Sequence, residues 1–189
     1  MRSIRPAALE ALGNEIHFAV NCKHGRNSTC EDSLTLLVET LADGLGIDIR
    51  NLGSATFKRG ELERGFEADV CFYVQNAGRI EGKAHIDPAS DPAPDLVIEV
   101  EITRPALNKL PIYADFRVPE VWRYDGERLA ILQLQGLEFA EREESLTFPN
   151  ASAVELSRLA RRSVRLRRTE WLRSFGAGCV SFGDIFGPS

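Results

Sequence analysis

Three acidic residues are spaced so that they could act together within an apolar segment, residues 94–103. The β-branched residues of this segment and the Pro-rich loop before it predict a strand, along which side chains alternate between two faces. Asp95, Glu99 and Glu101 therefore point the same way, whereas the opposite face is aliphatic. Burying like charges costs several kcal/mol each, on the order of the penalty for unpaired ions, unless a cation faces them. The pattern predicts a divalent cation such as Mg²⁺, which prefers carboxylate oxygens.

Each of these residues also has an ordinary structural interpretation. An edge strand could simply show its acidic face to water. A further acid, Asp69, lies in the apolar segment 66–75, where regular alternation places it on one face with Cys71 and Tyr73, and it could be an ordinary acid near a strand start. Lys109 lies on the next predicted helix, where lysine is usually solvated, although beside three carboxylates it has an obvious partner. On the residues alone both alternatives stay open.

Apolar periodicity and turn residues predict the elements that position these side chains. The expected order is a helix, three strands, a helix and a strand, over residues 31–46, 47–58, 66–75, 94–103, 103–116 and 118–126. Asp32 or Ser33 caps the first helix and Gly46 ends it, Leu52-Gly53 forms a turn, and Pro111 either kinks the second helix or marks a second start. This order predicts an α/β fold with a mixed central β-sheet flanked by α-helices.

The remainder of the chain completes this prediction. Asp125-Gly126 leads to a hairpin partner at residues 129–134, and short strands are expected around Gly136 and over residues 146–148. Residues 154–175 are rich in arginine and predict one or two amphipathic helices. Their basic face could contact phosphates, but a solvated helix face that balances an acidic protein is the preferred interpretation.

Composition restricts the class of protein. A chain of 189 residues with 43% hydrophobic and 27% charged residues is typical of one globular domain with a real core. A net charge of −5 argues against strong non-specific binding to nucleic acid. No apolar run is long enough to span a bilayer and no signal peptide is evident, which predicts a cytoplasmic protein. The four cysteines fit no zinc pattern, so free thiols are expected.

Several segments in register resemble the Uma-type (Uma2) family of restriction endonuclease-like proteins, within the PD-(D/E)XK nuclease superfamily. The matching segments are Leu52-Gly53-Ser54 to Lys58, Glu67-Ala68-Asp69, Pro94 to Val100, Lys109 with Tyr113-Ala114, and Val118 to Trp122 followed by Asp125-Gly126. The resemblance divides the chain into an atypical N-terminal segment, a restriction-endonuclease-like nuclease core, and a basic helical extension with a tail. These parts cover residues 1–30, 31–150 and 151–189.

The resemblance also implies the site residues. The first acid of the superfamily falls on Asp69 and the second on Glu99. The third position, usually lysine, is Glu101 here, and Lys109 from the following helix takes the place of that lysine. Asp95 belongs to a second Pro-Asp pair that this family carries. The implied metal ligands are Asp69, Glu99, Glu101 and Asp95, and the implied catalytic residues are Asp69, Glu99, Glu101 and Lys109.

The function implied by the resemblance is a Mg²⁺- or Mn²⁺-dependent endonuclease, a hydrolase of DNA phosphodiester bonds. A bound metal polarises a phosphoryl oxygen and lowers the pKa of an attacking water, while Lys109 would orient that water or stabilise the growing charge. The alternative is a nuclease-fold module that no longer cleaves and binds nucleic acid or protein, because Glu101 replaces the usual lysine and the net charge is acidic. A metal-dependent hydrolase of small phosphoesters is a third hypothesis. Analogy with nucleases of this fold favours a homodimer.

Overall fold

The computed structural model describes residues 17–18, 26–59, 64–83, 85–102, 109–167 and 169–171. Its helices are α1 (Arg26–Leu45), α2 (Leu110–Asp115) and α3 (Ala153–Arg165). Its strands are β1 (His17–Phe18), β2 (Arg50–Arg59), β3 (Arg64–Tyr73), β4 (Leu96–Val100), β5 (Glu120–Tyr124), β6 (Leu129–Gln135) and β7 (Glu138–Arg142). A 3₁₀ turn, Ala77–Arg79, lies in the long connection between β3 and β4.

The seven strands of the described chain form one sheet in chain order. Strands β4 and β5 run parallel, and the other neighbouring pairs are antiparallel. A parallel pair needs a crossover, and the connection that contains α2 provides it. All five residues of the middle strand, β4, are buried, as its apolar sequence predicts. The predicted α/β fold with a mixed central sheet and flanking helices is confirmed.

Apolar side chains cover both faces of the sheet. On one face, the helices α1 and α3 pack over alternate residues of the central strands, and Leu34, Leu37 and Leu41 of α1 are fully buried there. On the other face, α2 and the connection between β3 and β4 cover a second cluster that includes Tyr113 and Val97. Each fully buried aliphatic or aromatic side chain contributes about 1.5–3 kcal/mol. The two clusters bury β4 between them.

Helix α1 begins earlier than the sequence predicts. The predicted start at residue 31 is wrong, because the helix already includes residues 26–30. Their polar residues favour turns, but Cys30 lies one helical turn before Leu34 and is buried beside it in the core, so tertiary packing outweighs local preference. The predicted end at Gly46 is confirmed. Gly46 has a φ of 65°, and the N–H of Ile47 donates to the carbonyl of Ala42 in a left-handed helix cap.

Other predicted elements have mixed outcomes. Residues 146–148 are not a strand, because Phe148 turns into the core and the local pairing is a single bridge between Glu144 and Ser152. Leu52-Gly53 lies inside β2 and does not form a separate turn. The hairpins after Asp125-Gly126 and at Gly136 are confirmed. Pro111 occupies the first turn of α2, as a second start predicts, while the first part of that predicted helix lies outside the described residues.

The C-terminal helix packs on the same core as α1. Leu156, Leu159 and Ala160 of α3 are buried among the side chains of the α1 face, as is Trp171 beyond it. The predicted division of the chain at residue 150 stays a prediction, although α3 completes this face of the sheet. In the described part of the chain, no helix has the length and apolar character needed to cross a membrane.

Candidate active site

A β-bulge in β3 shapes one side of the candidate site. Gly53 lies opposite Cys71 and Ala55 lies opposite Ala68, so two steps along β2 match three along β3. The extra residue reverses the alternation of side chains, and Ala68 and Cys71 therefore both face α2 while Val70 faces α1. The predicted regular alternation through this strand is wrong for this reason.

The bulge brings the carboxylate of Asp69 to the edge of the central strand. The ladder between β3 and β4 runs from Phe72 paired with Leu96 to Val70 paired with Ile98. Beyond it, Oδ2 of Asp69 accepts a hydrogen bond of 2.9 Å from the backbone N–H of Val100. Asp69 thus lies beside the residue that precedes Val100, which is Glu99.

Glu99 is the buried centre of the site, with 5% of its surface exposed. Its Oε2 accepts a hydrogen bond of 2.7 Å from Nζ of Lys109, and its Oε1 accepts one from the Tyr113 hydroxyl. Burial, and then the charge of Glu99, raise the pKa of Tyr113, so this hydroxyl remains a donor. Tyr113 is a site residue that the sequence analysis did not assign. Its spacing of four from Lys109 is the signal, because residues four apart share a helix face.

Burial disfavours the ionised form of Glu99 despite its ion pair. Burial raises the pKa of Glu99, the ion pair with Lys109 and the Tyr113 hydrogen bond lower it, and the charge of Asp69 raises it further. The ion pair with Lys109 therefore does not fully offset the effect of burial on the pKa of Glu99. A cation bound beside Glu99 would lower its pKa and favour the ionised carboxylate.

Lys109 joins two strands at the start of α2. Besides its bond to Glu99, its Nζ donates to the backbone carbonyl of Glu67 on β3, at 2.9 Å. Its side chain is 29% exposed, so the ammonium group is fixed and still reachable from solvent. The structure therefore brings Asp69, Glu99 and Lys109 together, as the sequence analysis predicts for the site.

Glu101 has a different neighbour. Its Oε1 lies 3.1 Å from Nε of Arg123, which stands opposite Glu99 in the parallel register of β4 and β5. Arg123 is the second site residue that the sequence analysis did not assign, because a register between strands is not visible in the chain. A small pocket is lined by Glu99, Glu101, Lys109, Leu110, Tyr113, Val121 and Arg123.

Asp95 is separated from the other acids. It precedes β4 and lies about 13 Å along the chain from Glu99, given the rise of a strand. Its Oδ2 accepts hydrogen bonds from the backbone N–H groups of Val74 and Asn76, at 2.8 and 2.9 Å, and its Oδ1 accepts one from the Asn76 side chain. With 3% exposure, Asp95 holds the turn after β3. The structure does not bring it to Glu99.

The acids that do meet suit one kind of metal site. Within the residues that the structure describes, no three His, Cys, Asp or Glu side chains form a metal-binding group. Mg²⁺ commonly binds through one or two carboxylates and fills its other positions with water and substrate phosphates. Asp69 and Glu99 fit this open type of site, and they do not form an all-protein cage.

The mixed sheet, with acids and a lysine meeting at the carboxyl end of its parallel pair, defines an α/β domain of the restriction-endonuclease-like class. A family model described as "Uma2: Putative restriction endonuclease" matches residues 8–166 of the chain. The chain belongs to the Uma2 family, so the resemblance predicted from sequence segments is confirmed. The family description indicates nuclease function in general terms. No curated protein matches the chain significantly.

Proposed function

We propose that the protein is a Mg²⁺- or Mn²⁺-dependent endonuclease that hydrolyses phosphodiester bonds in DNA. The observation that carries this proposal is the meeting of Asp69, Glu99 and Lys109 at the end of the buried strand β4. Family membership supports nuclease chemistry in general, and the donor types support the metal.

Asp69 and Glu99 would hold the metal ion. Each carboxylate oxygen can accept more than one partner, so the bonds from Val100, Lys109 and Tyr113 fix their orientation and leave room for a ligand role. When bound, Mg²⁺ would polarise a phosphoryl oxygen and lower the pKa of a water molecule. Glu101 and Asp95 are also predicted ligands, but Asp95 holds the turn after β3 away from Glu99 and Glu101 is turned to Arg123, so the proposal does not depend on them.

Lys109 would act on the substrate once a bound metal ion balances the charge of Glu99. Its Nζ is anchored by the Glu67 carbonyl and points into the pocket between β4 and α2. A fixed ammonium group at this place can stabilise negative charge that grows on the phosphoryl oxygens, or orient the water. Tyr113 remains protonated and positions the Glu99 carboxylate.

Lys109→Met is expected to reduce the rate of DNA cleavage by about 10²-fold, the scale known for removal of one charge-stabilising donor. The fall should appear mainly in kcat, measured by nicking of plasmid over a range of DNA concentrations. The matched control is Lys83→Met, which removes a lysine paired with Asp91 on the exposed connection before β4 and should leave the rate unchanged. A normal rate for Lys109→Met would remove this residue from the mechanism.

The proposed function is tested by incubating supercoiled plasmid with the full chain in Mg²⁺, in Mn²⁺ and in EDTA. Nicked or linear product that appears only with metal supports an endonuclease, and linear product formed directly supports a homodimer that cuts both strands. Absence of cleavage together with metal-independent DNA binding would favour the non-cleaving module instead. A rise in melting temperature with Mg²⁺ measures metal binding independently of the substrate.

A further inference from the structure

A second cation borders the candidate active site. Arg123 on β5 stands directly opposite Glu99, and paired residues of neighbouring strands lie about 4.8 Å apart with side chains on the same face. Arg123 and Lys109 line the same small pocket from different sides. The side chain of Arg123 is 36% exposed, so its guanidinium group can reach a ligand in solvent.

Glu101 is placed to hold this arginine. The pair joins Oε1 of Glu101 to Nε of Arg123, and the backbone N–H of Glu101 donates to the carbonyl of Tyr124, next to Arg123. Both residues are thereby fixed at the carboxyl ends of the two parallel strands. Ligands of open α/β sheets bind at this edge.

We propose that Arg123, positioned by Glu101, binds a backbone phosphate that flanks the scissile phosphate of the substrate strand. A guanidinium group suits this task because its planar fork of donors matches phosphate oxygens. Glu101 then acts as a positioning residue for Arg123 and does not hold the metal. The inference rests on the proposed function, since it supposes a nucleic-acid substrate at Glu99.

The test measures binding of a fluorescent 20-base-pair DNA duplex without divalent metal, as a function of salt. One lost phosphate contact lowers the slope of log K against log salt by about 0.9. Arg123→Gln should show this smaller slope and about tenfold weaker binding at low salt, as expected for a lost charged hydrogen bond. Arg123→Lys should keep the slope because it keeps the charge. The control, Arg128→Gln, removes an arginine paired with Glu141 and should bind like wild type.

Two further measurements separate the role of Arg123 in binding DNA from the role of Glu101 in positioning Arg123. In cleavage assays Arg123→Gln should raise KM about tenfold with little change in kcat. Glu101→Gln should leave unchanged the Mg²⁺ concentration that gives half of the rise in melting temperature, whereas loss of a metal ligand would increase it at least tenfold. A wild-type slope for Arg123→Gln, or a weakened Mg²⁺ response for Glu101→Gln, would overturn the inference and leave the proposed nuclease intact. If the wild-type protein neither binds nor cuts DNA, the proposed function and the inference fall together.

Discussion

Replacing Glu99 with Gln is expected to lower metal-dependent plasmid cleavage by at least ~10³-fold. The substitution keeps the size of the side chain and removes its charge, so one of the two carboxylates that would hold the metal is lost. A metal contributes several kcal/mol of charge stabilisation in the transition state, which corresponds to this factor. Nicking by wild type and variant, purified side by side, gives the measurement. Equal rates would show that the cleaving site lies elsewhere or that the activity belongs to a contaminant.

A loss of cleavage in Glu99→Gln must be distinguished from a loss of folding. The pH dependence of stability, which follows from the pKa of Glu99, provides that control. Burial raises this pKa above its ordinary value of 4.5, so the folded protein disfavours the ionised form. The stability that the protonated carboxyl contributes is complete below the unfolded pKa and is lost as pH rises through the folded pKa. Without metal, Glu99→Gln should therefore melt no lower than wild type at pH 7. Its advantage in melting temperature should grow as the pH rises above 4.5, and a large loss at pH 7 would indicate disrupted folding.

The central strand could be predicted because its signal is local. Alternating acids and aliphatic residues after a Pro-rich loop are enough to predict a strand with an acidic face, and β4 lies buried in the middle of the sheet. The partners of Glu101 and Asp95 could not be predicted, because they depend on which strand or turn lies alongside. Arg123 reaches Glu101 only through the parallel register of β4 and β5, and Asp95 finds its donors in the turn after β3.

The bulge at Asp69 illustrates the same limit. A strand in isolation predicts strict alternation, which would align Asp69 with Cys71. The extra residue is visible only against β2, where Gly53 adopts a φ of 60° and accepts a weak hydrogen bond from the Cys71 thiol. Bulges occur beside active sites, where they redirect a side chain. Here the redirected carboxylate of Asp69 reaches the backbone of β4, which makes the bulge part of the candidate site.

The position of the site also follows from the topology. Antiparallel neighbours occur throughout the described sheet except at β4 and β5, where the crossover through α2 is required. The crossover places Lys109 and Tyr113 over the end of β4, on the face that α1 and α3 leave open. The basic helix α3 lies on the opposite face, where Arg158 pairs with Glu155 and Arg161 donates to the carbonyl of Glu127 in the turn between β5 and β6. The interpretation of this basic face as a solvated one stays a prediction.

The largest expected effect on stability comes from Glu120, a carboxylate with no exposed surface on β5. Its Oε1 accepts hydrogen bonds from Nε1 of Trp122 and the hydroxyl of Ser145, at 2.7 and 2.6 Å. Its Oε2 accepts from the N–H of Leu146 and the amide of Gln133, at 2.5 and 3.2 Å. All four donors are neutral. Because two of them belong to Ser145 and Leu146, this carboxylate joins β5 to the segment that places Phe148 in the core.

Glu120→Ala is expected to destabilise the fold by about 4 kcal/mol. Each buried donor left without a partner costs about 1–3 kcal/mol, and relief of the buried charge offsets part of that sum. For a chain of this length the melting temperature should fall by about 8–16 °C. Glu120→Gln should also destabilise the fold, because its amide N–H₂ would face donors on whichever side it lies.

The control is Glu138→Gln on the exposed strand β7, whose stability is expected to stay within about 0.5 kcal/mol of wild type. Thermal and urea unfolding of the three variants decide the matter, and a wild-type melting temperature for Glu120→Ala would mean that these hydrogen bonds do not anchor the segment.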